Sequence, residues 1–260
     1  MISICVHSTN RGKYLNKFLK SLTQQTTKDF EVVIVDNMSR DNTDEVIQKY
    51  KDRLNINHIK FKFKRVSNLN PIAYNLAVEN AKYDKIILTV SDVIFELNNV
   101  ENAIKLFDKK KVIYGRALEV NDSTVTAGIR RFDIEKYPEL NEFTNNPEGK
   151  AYFKVHEKYP QPVFYIAVLS KELYQSIGGM DERFIDCIAS SDVDLGQRLN
   201  FVSQTEYTGK LFVYHQKHPT KKIDEKKWND GIKLRNENLK KAGKGNVKVE
   251  NKMKVEIVEN

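Results

Sequence analysis

Cysteine is nearly missing from this 260-residue chain, which has only Cys5 and Cys187. That excludes a disulfide framework and suits a reducing cytosol. Proline (6) and glycine (11) are sparse and follow no period, which excludes collagen-like and low-complexity classes. No apolar run reaches the roughly 18 residues that a bilayer span needs. The opening MISICVHSTN has neither a charged start nor a long apolar stretch, so no secretory signal is expected. Charge is abundant, at 30% of residues, beside 40% hydrophobic ones. Those proportions suit one α/β-sized domain, alone or with an appendage.

The net charge of +8 is uneven. From Gly209 to Asn260 there are 14 Lys and Arg against 7 Asp and Glu, leaving 29 against 28 in residues 1–208. A neutral body argues against a nucleic-acid groove. The basic tail could meet anionic lipid at the inner face of a membrane, or an acidic acceptor. The plainer expectation is a solvated helix with a frayed end.

Apolar runs at Ile2–His7, Phe30–Val35 and Lys85–Val90 predict buried strands, and the alternating His58–Phe63 predicts another. Helical spacing falls between them, at Tyr14–Leu22, after Asp44, and over Pro71–Ala81. The resulting β-α-β-α-β-α-β order predicts an α/β fold, a mostly parallel sheet flanked by helices. Further on, a helix is expected near Val100–Phe107 and strands at Val112–Tyr114 and Leu211–Tyr214. Short helices are expected at Glu172–Ile177 and from Asp192, and a last one over Ile223–Ala242. Residues 116–162 lack periodicity and read as a long excursion shaping a pocket.

In open α/β sheets ligands bind outside the carboxyl ends of the strands. The polar residues ending these strands are Ser8-Thr9-Asn10-Arg11, Asp36-Asn37-Met38-Ser39 and Ser91-Asp92. A carboxylate at such an end accepts strong hydrogen bonds from hydroxyl and ring N–H groups. Asp92 is a hard oxygen ligand suited to Mg²⁺ or Mn²⁺. His215, beyond a strand end, offers a nitrogen that Mn²⁺ tolerates better, with His218 as the competing ligand. Each residue taken alone has a plain structural alternative, such as a turn former or a polar rim.

Taken in order, these residues resemble family 2 glycosyltransferases of the GT-A fold. The opening of that family runs S-[IV]-V-I-P-T-Y-N-R, then L-x-S-[IL]-x-x-Q-T, then D-[FY]-E-[VI]-[IV]-[VI]-V-D-[DN]-x-S-x-D-x-T. Here Asn10, Arg11, Leu19, Ser21, Leu22, Gln25, Thr26, Phe30, Glu31, Asp36, Asn37, Ser39, Asp41 and Thr43 fit. Later, IGGMDERFIDCIASSDVDLGQRL resembles the family's G-G-F-D-E-x-F and E-D-x-D-L-x-x-R-[LI]. The matches there are Gly178, Gly179, Asp181, Glu182, Phe184, Asp192, Asp194, Leu195, Arg198 and Leu199. The resemblance spans residues 1–218. It implies a catalytic domain over 1–220, with a nucleotide-binding half (1–115) and an acceptor-binding half (116–220). A basic, partly helical extension would follow at 221–260.

The resemblance implies a metal-dependent, inverting transferase that moves sugar from a nucleoside-diphosphate sugar, UDP-sugars favoured. The acceptor would be a hydroxyl on a glycan, a lipid-linked or a protein-linked saccharide. Ser8, Thr9, Asn10, Arg11, Asp36, Asn37 and Ser91 would hold the nucleotide. Asp92, with His215, would hold Mn²⁺ or Mg²⁺. Asp192 would be the catalytic base, and Asp181 and Glu182 would touch the acceptor.

Three departures from the pattern stand out. Thr9 replaces a Tyr that would pack on the base, Val90 replaces the first Asp of D-x-D, and Ser191 replaces the Glu of E-D. They keep open a second class, a catalytically inactive module that binds nucleotide sugar or glycan. A nucleotidyltransferase, which needs a Gly-rich basic phosphate loop, is poorly served by Ser8–Gly12. Trp228, Arg130-Arg131 and the aromatics between Phe132 and Tyr165 are candidate sugar, phosphate or cleft contacts that packing explains equally well. Cys5 is expected to be an inert core thiol.

Overall fold

The computed structural model describes residues 1–63, 70–120, 165–188, 190–216, 218, 224–252 and 255–258. Its elements are β1 (Ile2–Ser8), α1 (Gly12–Thr23), β2 (Phe30–Asp36), α2 (Thr43–Tyr50), β3 (Ile56–Lys62), α3 (Pro71–Glu79), β4 (Lys85–Val90), β5 (Val93–Phe95) and α4 (Asn99–Leu106). They continue with β6 (Lys111–Val120), β7 (Ile166–Ser170), α5 (Lys171–Ser176), a 3₁₀ turn (Glu182–Asp186), α6 (Ser191–Leu199), β8 (Gln204–Gln216), α7 (Glu225–Ala242) and β9 (Glu256–Val258). One sheet runs β5-β8-β6-β7-β4-β1-β2-β3-β9.

The pattern in the first ninety residues folds as expected. β3, β2, β1 and β4 lie side by side and parallel. Every residue of β1 and β2 is buried, because helices cover both faces and alternate side chains point to opposite layers. Ile2, Ile4, Val6, Val32 and Ile34 meet Leu15, Phe18, Leu19, Leu22, Val46 and Ile47 of α1 and α2. Cys5, Val33 and Val35 face the other way, toward Ile72, Ala73, Tyr74 and Ala77 of α3. Burial pushes the Cys5 thiol up, as a core thiol requires. Helix α3 starts where Asn70 Oδ1 accepts from Ile72 N (3.1 Å) and Ala73 N (3.2 Å), with Pro71 at its first position.

Past β4 the sheet becomes mixed. β7 runs antiparallel to β4 and to β6, β8 is parallel to β6, and β5 is antiparallel to β8. Sequence reading misses β5 and β9, each three residues long, and shortens β8 to its buried end. A three-residue strand offers too little periodicity to detect. Strand β6 runs on through residues 116–120, which the sequence reading gave to the excursion; the rest of the excursion, with Arg130, Arg131 and the aromatics from Phe132 to Phe164, lies outside the described residues.

Several motif residues serve the fold itself. Glu31 Oε1 accepts from Ser3 Oγ (2.6 Å) and from Lys82 N (2.6 Å). Gln25 donates to Glu96 O (2.8 Å) and accepts from Val100 N (3.1 Å), tying the end of α1 to α4. The tail differs from the solvated helix and frayed end expected of it. Gly231, Asn238 and Ala242 of α7 are buried, and β9 pairs antiparallel with β3.

Candidate active site

The carboxyl ends of β1 and β2 are adjacent, with Ser8 paired to Asp36. On the other side, β1 pairs His7 with Val90 of β4, two residues before Asp92. The loops following β1 and β2 brace each other. Asn10 N donates to Ser39 Oγ (2.8 Å), and Arg40 N donates to Asn10 Oδ1 (2.8 Å). Asp41 accepts from Gly12 N (2.9 Å) and from Thr43 N (3.1 Å), so one carboxylate joins the starts of α1 and α2. Asn10 and Met38 take left-handed backbone, φ 51° and 50°, which the bracing stabilises. Asn10 and Ser39 thus form a scaffold that shapes the crevice. Ser8 Oγ beside them is buried and without a hydrogen-bond partner among the described residues.

Asp36 is buried. It accepts from Ser39 Oγ at 2.6 Å and Ser39 N at 3.0 Å. Burial raises its carboxyl to about 6, against the lowering effect of Ser39. Asn37 Oδ1 accepts from Phe63 N (2.9 Å), fixing the end of β3. Asp44 and His58 gather near Asp36, which sequence reading did not anticipate. Burial lowers His58 to about 4, outweighing the pull of Asp44. Lys60 forms an ion pair with Asp44, so this cluster already holds its cation.

Asp92 lies at the opposite end of the crevice. β5 follows it directly and pairs Val93 with His215 of β8, and Gln216 N donates to Asp92 O at 2.8 Å. The ladder therefore delivers a histidine more than a hundred residues away to the Asp92 carboxylate. His215 Nε2 lies 3.7 Å from Asp92 Oδ1, and His218 Nε2 lies 3.2 Å from Oδ2. Both imidazoles reach Asp92, where the sequence offered them as competitors. The three ligand atoms lie within 4.8 Å of one another. One carboxylate and two imidazoles form a mixed oxygen and nitrogen donor set that fits a divalent transition-metal ion better than Mg²⁺. Tyr165 packs against His215 at 4.8 Å between ring centroids, and Tyr14 against His218 at 5.9 Å. Arg11 Nη1 stands 3.6 Å from Asp92 Oδ2. Burial raises Asp92, but His218, His215 and Arg11 together outweigh it and hold the carboxyl below its ordinary range.

Asp192 is buried at the start of α6, after Ser190 in left-handed backbone at φ 75°. Burial raises its carboxyl to about 6. Asp92 and Asp192 both act electrostatically on the buried Tyr74 hydroxyl, which donates to Thr89 O at the end of β4 (2.9 Å). Both carboxylates thus act on one side chain of α3. Thr9 Oγ1 is bonded to His7 Nε2 (2.8 Å), and Ser91 is buried beside Asp92. Val90 packs against the apolar core, and Ser191 is buried in the first turn of α6.

Asp181 and Glu182 sit differently. Asp181 is fully buried, with its oxygens taken by the Arg183 guanidinium and by Asn238 Nδ2 (2.8 Å). Glu182 accepts from Asn75 Nδ2 at 3.1 Å. Asp181 is thus committed to holding the 3₁₀ turn and, being fully buried, does not offer the acceptor contact expected of it.

The sheet, with its parallel β3-β2-β1-β4 unit flanked by helices, has the GT-A fold. Residues 3–178 match the model of glycosyl transferase family 2, and the chain belongs to that family. Chondroitin synthase of Pasteurella multocida is 28% identical over 222 residues, 76% of this chain and 23% of that protein. The poly(ribitol-phosphate) beta-N-acetylglucosaminyltransferase TarS of Staphylococcus aureus is 28% identical over 109 residues, 41% of this chain and 19% of that protein. The chain thus spans less than a quarter of the length of these relatives. In structure it resembles TarS 1–349 in complex with UDP-GlcNAc, with TM-score 0.64, 16% identity, and 90% of this chain on 65% of that one. It also resembles a mannosyltransferase of Pyrobaculum calidifontis in complex with GDP-Man and Mn²⁺, with TM-score 0.58, 14% identity, and 91% of this chain on 61% of that one.

Proposed function

We propose that the chain transfers a sugar, with inversion, from a nucleoside-diphosphate sugar to an acceptor hydroxyl. The observations that support this reading are the burial of all three aspartates, the placing of Asp36 and Asp92 at the carboxyl ends of β2 and β4, and the electrostatic action of both Asp92 and Asp192 on the Tyr74 hydroxyl. UDP and GDP sugars bound by the structural neighbours support the donor class. In this reading residues 1–115 hold the donor and 116–220 receive the acceptor.

Asp36 accepts hydrogen bonds from the neutral base, on a floor set by Ser8 and Asn37. Arg11 faces the diphosphate. Asp92, His215 and His218 would hold a divalent cation, which when bound neutralises the negative charge growing on the diphosphate. Asp192 takes the acceptor proton as the acceptor oxygen bonds to the sugar C1. The C1–O electron pair leaves with the diphosphate on the opposite face. Burial makes Asp192 a stronger base than an exposed carboxylate, at the cost of protonation below about pH 6.

The test is release of nucleoside diphosphate from a panel of nucleotide sugars with Mn²⁺, UDP-sugars first, with and without saccharide acceptors. Transfer by the wild type should fall about 10²–10⁴-fold in Asp192→Asn with nucleotide affinity unchanged. The acid limb of kcat/KM should lie near pH 6. Nucleotide binding with no transfer from any donor would replace this reading with the binding module suggested by Val90 and Ser191.

A further inference from the structure

The helix bearing Asp192 is held from the far end of the chain. Asn238 of α7 is buried, and its Nδ2 donates to Asp194 Oδ1 (2.8 Å) of α6 and to Asp181 Oδ2 (2.8 Å) before the 3₁₀ turn. Its Oδ1 accepts from Arg183 Nη2 (2.8 Å). Asp194 in turn accepts from Arg198 Nε (2.8 Å), whose other nitrogens donate to Ile177 O (3.0 Å) and Gly179 O (2.8 Å). One neutral amide thus closes a network of two buried carboxylates, the buried Arg198 guanidinium and the exposed Arg183 guanidinium. Two acids converging on one point need a donor between them, and an amide supplies two N–H groups without adding charge.

The chain after α7 continues the same hold. Val249 N donates to Ile177 O (3.1 Å), and Asn251 Nδ2 donates to Gly178 O (2.8 Å) and Met180 O (2.9 Å). Glu182 N donates back to Asn251 Oδ1 (3.0 Å). Gly178 has φ 79°, and a Cβ there would stand 2.2 Å from Val249 O. The glycine therefore serves a left-handed turn and the close approach of the tail. Arg235, one turn before Asn238 and on the same helical face, is the cation that acts on Asp192.

We propose that residues 225–252 are a strap that sets the placement of α6, with Asn238 as a positioning residue for Asp192. The proposal rests on the reading of Asp192 as base. It gives the basic tail a role inside the active centre, independent of any membrane or partner.

The 260-residue wild type and its Asn238→Ala variant are compared by amide hydrogen exchange, and by kcat and donor KM per nucleotide-binding site counted by UDP titration. Asn238→Ser, which keeps one donor, replaces the alanine variant should that fail to fold. Exchange in 181–199 should quicken about tenfold while β1, β2 and β4 stay unchanged. The kcat per site should fall as much as about 100-fold, with donor KM little moved. Unchanged exchange in α6 overturns the strap. Faster exchange with unchanged kcat per site overturns the positioning role. A wild type that binds UDP and transfers nothing sinks the base assignment instead, and exchange alone then decides whether the strap holds α6.

Discussion

Asp36 and Asp92 end strands of one parallel unit, are both buried, and both have histidine nearby, yet they titrate in opposite directions. Asp36 rises to about 6, while Asp92 falls below the ordinary carboxylate range. Burial opposes charge at both, so it cannot be the discriminator. The partners differ instead. Asp36 has the neutral Ser39, a His58 kept unprotonated by its own burial, and the Asp44–Lys60 ion pair, whose two charges act on it in opposite senses. Asp92 has Arg11 and two imidazoles. A neutral setting suits recognition of a neutral ring, and a cation-rich one suits a cation and a diphosphate.

Removing the charged pole of this contrast should have the largest effect. Asp92→Ala should weaken Mn²⁺-dependent binding of UDP by about 100-fold or more, at or beyond the upper end of what loss of an outer-shell partner costs. Binding measured with EDTA should change little, and equal loss with and without metal would break the assignment.

The neutral pole is tested through His58. Its folded pKa, about 4, lies below the ordinary 6.5. The fold therefore binds fewer protons here than the unfolded chain between those values. The neutral imidazole's contribution is whole above pH 6.5 and is lost as pH falls toward 4. Asp36 and Asp192, raised from 3.8 to about 6, act in the opposite sense, adding stability as pH falls through 6. His58→Gln should therefore gain on the wild type by about 2 kcal/mol between pH 8 and pH 5. That is several degrees in thermal midpoint. A stability difference independent of pH would show that His58 is not buried neutral.

Ser39→Ala should have the smallest effect. It removes the 2.6 Å hydrogen bond to Asp36 and the acceptor of Asn10 N. It should cost about 1–2 kcal/mol by chemical denaturation and raise the Asp36 carboxyl further. A fall in that pKa, followed by NMR, would mean Ser39 is not its principal stabiliser.

The first ninety residues were legible because each strand and helix is specified by its neighbours in the chain. Ile2–His7 and Phe30–Val35 are continuous apolar runs, and Pro71–Ala81 keeps a helical face. Asp36 and Asp92 could be singled out because strand ends line the crevice in any open α/β sheet. His215 and His218 could be named only as competitors, since their joint arrival at Asp92 depends on β5, three residues long, pairing with β8. Asp181 looked like an acceptor contact because an exposed and a buried acid read alike in sequence. Asn238 carried no signal at all. Its value lies in two carboxylates more than forty residues away.

By itself, then, the sequence determined the α/β order, the family and which carboxylates end the strands, because these depend on local pattern and short motifs. The tertiary structure decided which of those carboxylates is neutral-set and which is cation-set, and that the tail closes on the helix of Asp192. Charge state follows from what surrounds a group in space, and those surroundings are assembled from segments that share no local pattern.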